Sequence, residues 1–231
     1  MKELQEKLKL PSLPYHIECF DNSNISGTDA VAACVVFKKM KPSKSDYKHY
    51  NIKTVTGPDD YASMKEVVWR RYHRLIQEQL PLPDLIMADG GKGQMEVIRQ
   101  VIQDELKLDI PIAGLAKNDR HRTNELLYGF PPIHVALKTD SELFHVLTKL
   151  QDEVHRFAIE FHRNKRSKRA LQSELDNIKG VGPKARDGLL NALKSVKRVR
   201  EADLTTLEDI VGKAKAQIVY HHFHGQEPEA E

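Results

Sequence analysis

The run Pro83-Asp84-Leu85-Ile86-Met87-Ala88-Asp89-Gly90-Gly91-Lys92-Gly93-Gln94 constrains this chain more than any other. Four apolar residues without alternation, bounded by turn residues, read as a short strand buried on both faces. Met95, Ile98, Val101 and Ile102 then recur at helical spacing, so the glycines turn a strand into a helix. A strand covered on both faces needs a sheet with helices on either side, and such sheets carry functional side chains at the carboxyl ends of their strands. Asp89 stands at that position.

The flanking segments supply the rest of the sheet. Residues 16–20 and 29–38 read as strands separated by the turn-forming run from Asn22 to Gly27, and residues 47–55 as a third, which together make an antiparallel meander. Pro58-Asp59-Asp60 caps a helix over 61–78, with Met64, Val67, Val68, Arg71 and Leu75 on one face. Another strand is expected at 110–115, a loop or small hairpin at 116–132, and a helix over 141–161 with Leu143, Val146, Leu147, Leu150, Val154 and Phe157 inward. Three antiparallel strands, a helix, a parallel strand, a helix, a strand and a helix is the order of the ribonuclease H-like fold. The expected class is therefore α/β, a mixed sheet flanked by helices.

The ends of the chain differ from this middle. Residues 1–14 read as a short helix, with Leu4, Leu8 and Leu10, running into a linker at Pro11 and Pro14, so the sheet domain is expected at 15–162. Residues 163–173 read as a basic linker, 174–223 as a small all-α domain of short helices, and 224–231 as a disordered polar tail. Net charge is only +3, yet residues 161–222 hold 14 Lys and Arg against 7 Asp and Glu. That surplus suits a polyanion partner as well as a solvated surface. The longest apolar stretch is far short of the roughly 20 residues a membrane span needs, and no hydrophobic signal core follows Met1, so a cytoplasmic chain without membrane contact is expected. Cys19 and Cys34, each inside an apolar run, read as buried free thiols.

In this fold the first strand lies beside the fourth, so Asp21 and Asp89 are expected to meet at one edge of a cleft. Either aspartate alone reads as a turn cap. Paired carboxylates at adjoining strand ends suit hard divalent cations such as Mg²⁺ or Mn²⁺, with phosphate oxygens and water completing the shell. His155 lies on the helix expected to pack over the same edge, as a further ligand or a proton carrier, with Asp152 and Glu153 as alternative donors. Lys92 and the backbone amides of Gly90, Gly91 and Gly93 could hold phosphate at a helix start, although the glycines serve a tight turn equally well. Tyr47, Tyr50 and Trp69 read as packing residues rather than base-stacking platforms, and His221, His222 and His224 as an exposed helix end.

The all-α segment carries Ile178-Lys179-Gly180-Val181-Gly182-Pro183-Lys184, a helix-hairpin-helix loop. Its glycines let backbone approach a DNA phosphate while the next helix aims free N–H groups at it, a contact blind to base sequence. Lys179, Lys184 and Arg186 add attraction, and Lys194, Lys197, Arg198 and Arg200 extend the basic face. A second copy, around Gly212 and Lys213, has only one glycine of the usual pair.

His16-Ile17-Glu18-Cys19-Phe20-Asp21-Asn22-Ser23, Asp60-Tyr61-Ala62-Ser63-Met64, Asp89-Gly90-Gly91-Lys92-Gly93-Gln94 and Asp152-Glu153-Val154-His155-Arg156-Phe157-Ala158-Ile159 stand in an order that resembles the C-terminal half of the UvrC family. UvrC proteins are the incision subunits of bacterial nucleotide excision repair. The resemblance covers residues 10–223. It implies a ribonuclease H-like endonuclease domain whose metal site is Asp21, Asp89 and His155, with Asp60 as a further acidic position near it. It also implies a tandem helix-hairpin-helix domain in which Lys179, Gly180, Gly182, Lys184, Arg186, Gly212 and Lys213 meet DNA.

The implied activity is the 5′ incision in damaged or bubble-containing duplex DNA, made on a complex of UvrB with DNA. Neither the GIY-YIG nuclease motif nor the UvrB-docking segment of the family occurs in this chain, so a fragment that binds DNA yet cuts poorly alone is expected. Two alternatives remain open at this point. One is a partner-independent endonuclease V-like or ribonuclease H-like nuclease, and the other is a DNA-binding module without catalysis.

Overall fold

Strand β1 (His16–Ser23) organises the sheet because it is hydrogen-bonded along both edges. On one side it runs antiparallel to β2 (Val31–Lys38), which in turn pairs antiparallel with β3 (Lys41–Pro42) and β4 (Lys48–Asn51). On the other it runs parallel to β5 (Leu85–Ala88). Next come β6 (Ile112–Lys117), parallel to β5, then β7 (Thr123–Tyr128) and β8 (Ile133–Val135), both antiparallel. The expected mixed sheet is thus formed, and residues 116–132 contribute a strand of it. The computed structural model describes residues 1–23, 30–117 and 123–225, without the side chains of residues 23, 117, 123–124, 164–173 and 196. Most of the turn after β1, the polar run 118–122 and the tail 226–231 lie outside the described residues.

Burial follows the apolar runs. Val31–Phe37 is buried throughout, as is Leu85–Ala88, because helices cover both faces of the central strands. Helix α2 (Asp60–Gln77) starts at Asp59, whose carboxylate accepts from the Ala62 N–H at 2.9 Å, and buries Met64, Val67, Val68, Tyr72 and Leu75. Helix α3 (Lys92–Arg99), extended by a π turn over Gln100–Glu105, buries Met95, Ile98, Val101 and Ile102. Helix α4 (Glu142–Asp176) buries Leu143, Leu147, Leu150, Val154 and Ala158. Cys19 and Cys34 are buried thiols, as expected. No helix among the described residues is long and apolar enough to cross a membrane.

One expectation at the ends needs correction. Helix α1 (Lys2–Leu8) does not stand outside the sheet domain, since Leu4, Leu8 and Leu10 are buried in its core. Pro11 and Pro14 break the helix without breaking the domain. Residues 163–173, expected as a basic linker, are helical, because α4 continues through them and residues 141–179 contain neither Gly nor Pro to stop it. The chain divides into two compact units, residues 1–162 and 163–231.

A buried charge fixes α2 on β1. Glu18, fully buried, accepts from Arg71 at 2.5 and 3.2 Å and from the Tyr72 hydroxyl at 3.0 Å, and His16 Nε2 lies 3.3 Å away. Burial would raise the pKa of this carboxyl, but His16 and Arg71 beside it hold it down to about 2.

The second unit is all-helical. Helices α5 (Pro183–Leu193), α6 (Val196–Glu201), α7 (Leu204–Val211) and α8 (Lys213–His224) enclose a core of Leu175, Ile178, Leu189, Val199, Leu207, Ala216 and Val219.

Candidate metal centre

Backbone register brings the two aspartates together. Phe20 of β1 pairs with Ala88 of β5, and the Asp89 N–H donates to the Phe20 carbonyl at 2.8 Å, so the parallel ladder runs one step past β5. Asp21 and Asp89 therefore occupy neighbouring strand ends. Alternation along β1 then decides which way Asp21 faces. Glu18, Phe20 and Asn22 turn toward α2: Glu18 binds Arg71, the Phe20 ring lies 6.1 Å from that of Tyr72, and Asn22 Nδ2 donates to the Asp60 carbonyl at 2.7 Å. Asp21 turns to the opposite face, where its Oδ2 lies 3.2 Å from His155 Nδ1 on α4.

Asp21, Asp89 and His155 each offer one ligand atom, and these atoms all lie within 4.8 Å of one another. Exposure rises across the trio. The Asp21 side chain is 10% exposed and that of His155 is 52%, with Asp89 between. Two carboxylates and one imidazole are a donor set for a divalent cation.

The helix carrying His155 is anchored by a histidine on β4. The His49 ring stacks on Phe157 with centroids 3.6 Å apart and on Phe161 at 4.2 Å, and its Nε2 lies 3.0 Å from the Phe157 carbonyl. A carbonyl only accepts, so Nε2 carries the hydrogen. Burial against these rings pushes the His49 pKa below its ordinary value of 6.5. Tyr47 packs edge-on against Phe157 at 5.1 Å, Tyr50 lies under Arg70, and Trp69 stacks on His73.

The turn after Asp89 is crowded. A Cβ on Gly114 of β6 would sit 2.8 Å from the Gly90 carbonyl oxygen, so β6 passes the turn at a distance only glycine permits. Gly93 is filled from outside by Tyr61 of α2, whose ring carbon Cζ would lie 2.8 Å from an added Cβ. Gly91 caps α3 with open space over it, and Lys92, the first residue of that helix, is exposed.

Not every expected residue joins the trio. Asp60 is exposed at the start of α2 and is outside the three-residue group, while the helix cap is Asp59. Asp152 points to solvent, and Glu153 is paired with Arg156 at 2.9 Å. His224 folds back on its own helix, its Nδ1 2.9 Å from the Tyr220 carbonyl. One residue escaped the sequence reading: Gln151, buried one turn before His155, reaches Asp89. Its only sequence signal is its place four residues before the histidine.

In the second unit Gly180 has φ +96° and Gly212 has φ +81°, so both hairpin turns use the left-handed region open to glycine. Gly182 caps α5 and Gly212 caps α8, each with open space where a side chain would stand. Lys179, Lys184 and Lys213 are exposed beside these helix starts. The second hairpin differs from the first in backbone: its helix cap, Gly212, carries the positive φ itself, whereas the cap Gly182 is extended at φ −84° and the positive φ falls two residues earlier, at Gly180. Arg186 is committed elsewhere, to Asp176 at 2.8 Å and Asp187 at 3.0 Å.

The model of the UvrC RNase H endonuclease domain matches residues 5–159, and that of the SAM-like helix-hairpin-helix tandem matches residues 173–220. UvrABC system protein C of Bacteroides thetaiotaomicron is 65% identical over 219 residues, which cover 95% of this chain and 36% of that protein. Its counterpart in Streptococcus pneumoniae (strain CGSP14) is 52% identical over 230 residues, 99% of this chain and 37% of that one. The chain thus spans about a third of the length of these relatives. The solved structure of human ENDOV aligns with 69% of this chain and 90% of its own at 10% identity and a TM-score of 0.42, too loose a likeness to carry a claim. With a ribonuclease H-like sheet, an Asp-Asp-His group at its strand ends and a family model matched over residues 5–159, this chain belongs to the UvrC RNase H endonuclease domain family.

Proposed function

We propose that this chain cuts one strand of duplex DNA with a divalent cation held by Asp21, Asp89 and His155, and that the cut is the 5′ incision of nucleotide excision repair. The observation that carries the proposal is the convergence of these three side chains, from two strand ends and a helix, to within 4.8 Å. Donors on one ion with bonds of about 2.1 Å stand at most about 4.2 Å apart, so side-chain rotation of roughly half an ångström closes the group. Two carboxylates suit Mg²⁺ or Mn²⁺, and the imidazole tilts the choice toward Mn²⁺. Such an ion supplies Lewis acidity at a phosphoryl oxygen and makes nearby water a better nucleophile.

The remaining work falls to the chain's own groups. Asp21, buried beneath α4 at the end of β1, presents a carboxylate where the cation is proposed to sit. His155 is the exposed member, and it completes the donor set of the cation or, alternatively, orients the nucleophile. Asp60, whose carbonyl accepts from the Asn22 side chain next to Asp21, is proposed as a further acidic position near the site. Lys92 and the first N–H groups of α3, the helix that follows the Asp89 turn, are proposed to hold a substrate phosphate. In the second unit Gly180, Gly182 and Gly212 let the backbone meet DNA phosphates, with Lys179, Lys184 and Lys213 beside them. The relatives are components of a UvrABC system, and the substrate is proposed to be damaged or bubble-containing DNA presented by UvrB.

Nicking of an end-labelled bubble duplex in Mn²⁺ or Mg²⁺ tests the reading, with UvrB and the portion of a UvrABC system protein C that this chain does not span supplied in a second arm. Metal-dependent nicking lost in Asp89→Asn supports it. Nicking that survives Asp89→Asn in both arms sinks it.

A further inference from the structure

We infer that Gln151 is a positioning residue for the cation site, holding the Asp89 carboxylate in the orientation that faces Asp21 and His155. The inference rests on the metal-site reading above.

Gln151 is 1% exposed, and its Nε2 donates to Asp89 Oδ1 at 2.5 Å and to the Leu115 carbonyl of β6 at 2.9 Å. A primary amide has two N–H bonds, and two acceptors take them. The orientation of the amide is dictated by its neighbours. Rotated by half a turn, it would press its carbonyl oxygen against a carboxylate and a carbonyl, two groups that donate nothing.

The bond to Leu115 anchors the amide to a central strand, so the bond to Asp89 does not swing with solvent. A carboxylate at a strand end otherwise rotates about two side-chain torsions. With Oδ1 fixed by a buried donor, that freedom is lost before any cation arrives. Groups that hydrogen-bond to metal ligands in this way orient them, and their loss commonly weakens metal affinity by about 10–100-fold.

Placement on α4 adds a second constraint. Gln151 and His155 are four residues apart, so they share one face of one helix. The helix that brings the imidazole to Asp21 also brings the amide to Asp89. A shift of α4 therefore moves the third ligand and loosens the second together. That coupling assigns Gln151 a role in the assembly of the site and not only in filling the core.

The test is Mn²⁺ binding to the purified chain, followed by electron paramagnetic resonance, for wild type, Gln151→Met and Gln151→Asn. Met keeps length and volume without a donor, and Asn keeps the donor but falls short of Asp89. Each protein is measured in the cold after circular dichroism shows it folded, so lost stability does not mimic lost affinity. Both variants are expected to bind Mn²⁺ about 10–100-fold more weakly than wild type. A folded Gln151→Met chain with unchanged Mn²⁺ affinity overturns the inference. A wild-type chain that binds no Mn²⁺ overturns the metal-site reading itself and the inference with it.

Discussion

The backbone N–H of Asp89 donates to the carbonyl of Phe20 at 2.8 Å, one step beyond the last residue of β5. This bond extends the parallel ladder far enough to carry two carboxylates to one place. Since each aspartate contributes to one ligand group, Asp21→Asn and Asp89→Asn are expected to do equal damage. Either should lower metal-dependent nicking by at least about a hundredfold, the scale of several kcal/mol of charge stabilisation. Retention of the second unit predicts that both variants still shift a bubble duplex on a native gel. Removing the metal with EDTA should silence wild type in the same way, with recovery on adding Mn²⁺.

Arg71 and Glu18 make a second prediction, for stability. Glu18 is fully buried, so Arg71→Met leaves its charge without its main partner and is expected to cost about 3–5 kcal/mol in urea unfolding. Replacing both, with Glu18→Leu beside Arg71→Met, should recover part of that loss. The pH dependence has a definite sign. The Glu18 pKa is about 2 in the folded chain against an ordinary 4.5, so its contribution is complete above about 4.5 and is lost as pH falls toward 2. A double variant as sensitive to acid as wild type in that range would contradict this.

His49 is expected to act at milder pH. Its folded pKa lies below 6.5, so the unfolded chain takes up the proton first, and stability declines as pH drops from about 6.5 through the folded value. Wild type should lose more thermal stability than His49→Gln between about pH 8 and pH 5.5, measured without metal. Equal losses would mean that the stacked ring between Phe157 and Phe161 titrates as it does in water.

For the helix-hairpin-helix unit the readout is salt. Each phosphate contact that is lost reduces the slope of log affinity against log salt by about 0.9 on duplex DNA. Lys179→Ala, Lys184→Ala and Lys213→Ala together should flatten it by up to about three times that amount, whereas Arg186→Ala should move it little, because Arg186 is paired with Asp176 and Asp187. An equal effect of Arg186→Ala would show that those pairs open on binding.

Much of this molecule is legible from local pattern. The apolar runs of β2 and β5, the glycine turn after Asp89, the helical spacing of α2 and the paired hairpin glycines each depend on neighbours within a few residues, and periodicity reports them. Strand ends and a helix face made Asp21, Asp89 and His155 candidates, and the resemblance to the UvrC family joined them into one site. What lay beyond reach depends on distant partners. Leu4, Leu8 and Leu10 look like one side of a short helix before two prolines, and only the core they enter makes them part of the sheet domain. Glu18 alternates like any strand residue, and only Arg71, 53 positions later, makes it a buried ion. Gln151 is chemically ordinary until β5 and β6 bring it two acceptors. Local pattern marks β1, β2, β5, α2 and α3, since these obey short-range sterics and burial periodicity, whereas β8 and the run of α4 through residues 163–173 escape it. The tertiary structure alone decided which polar groups meet, because that is set by register and packing between residues far apart in the chain.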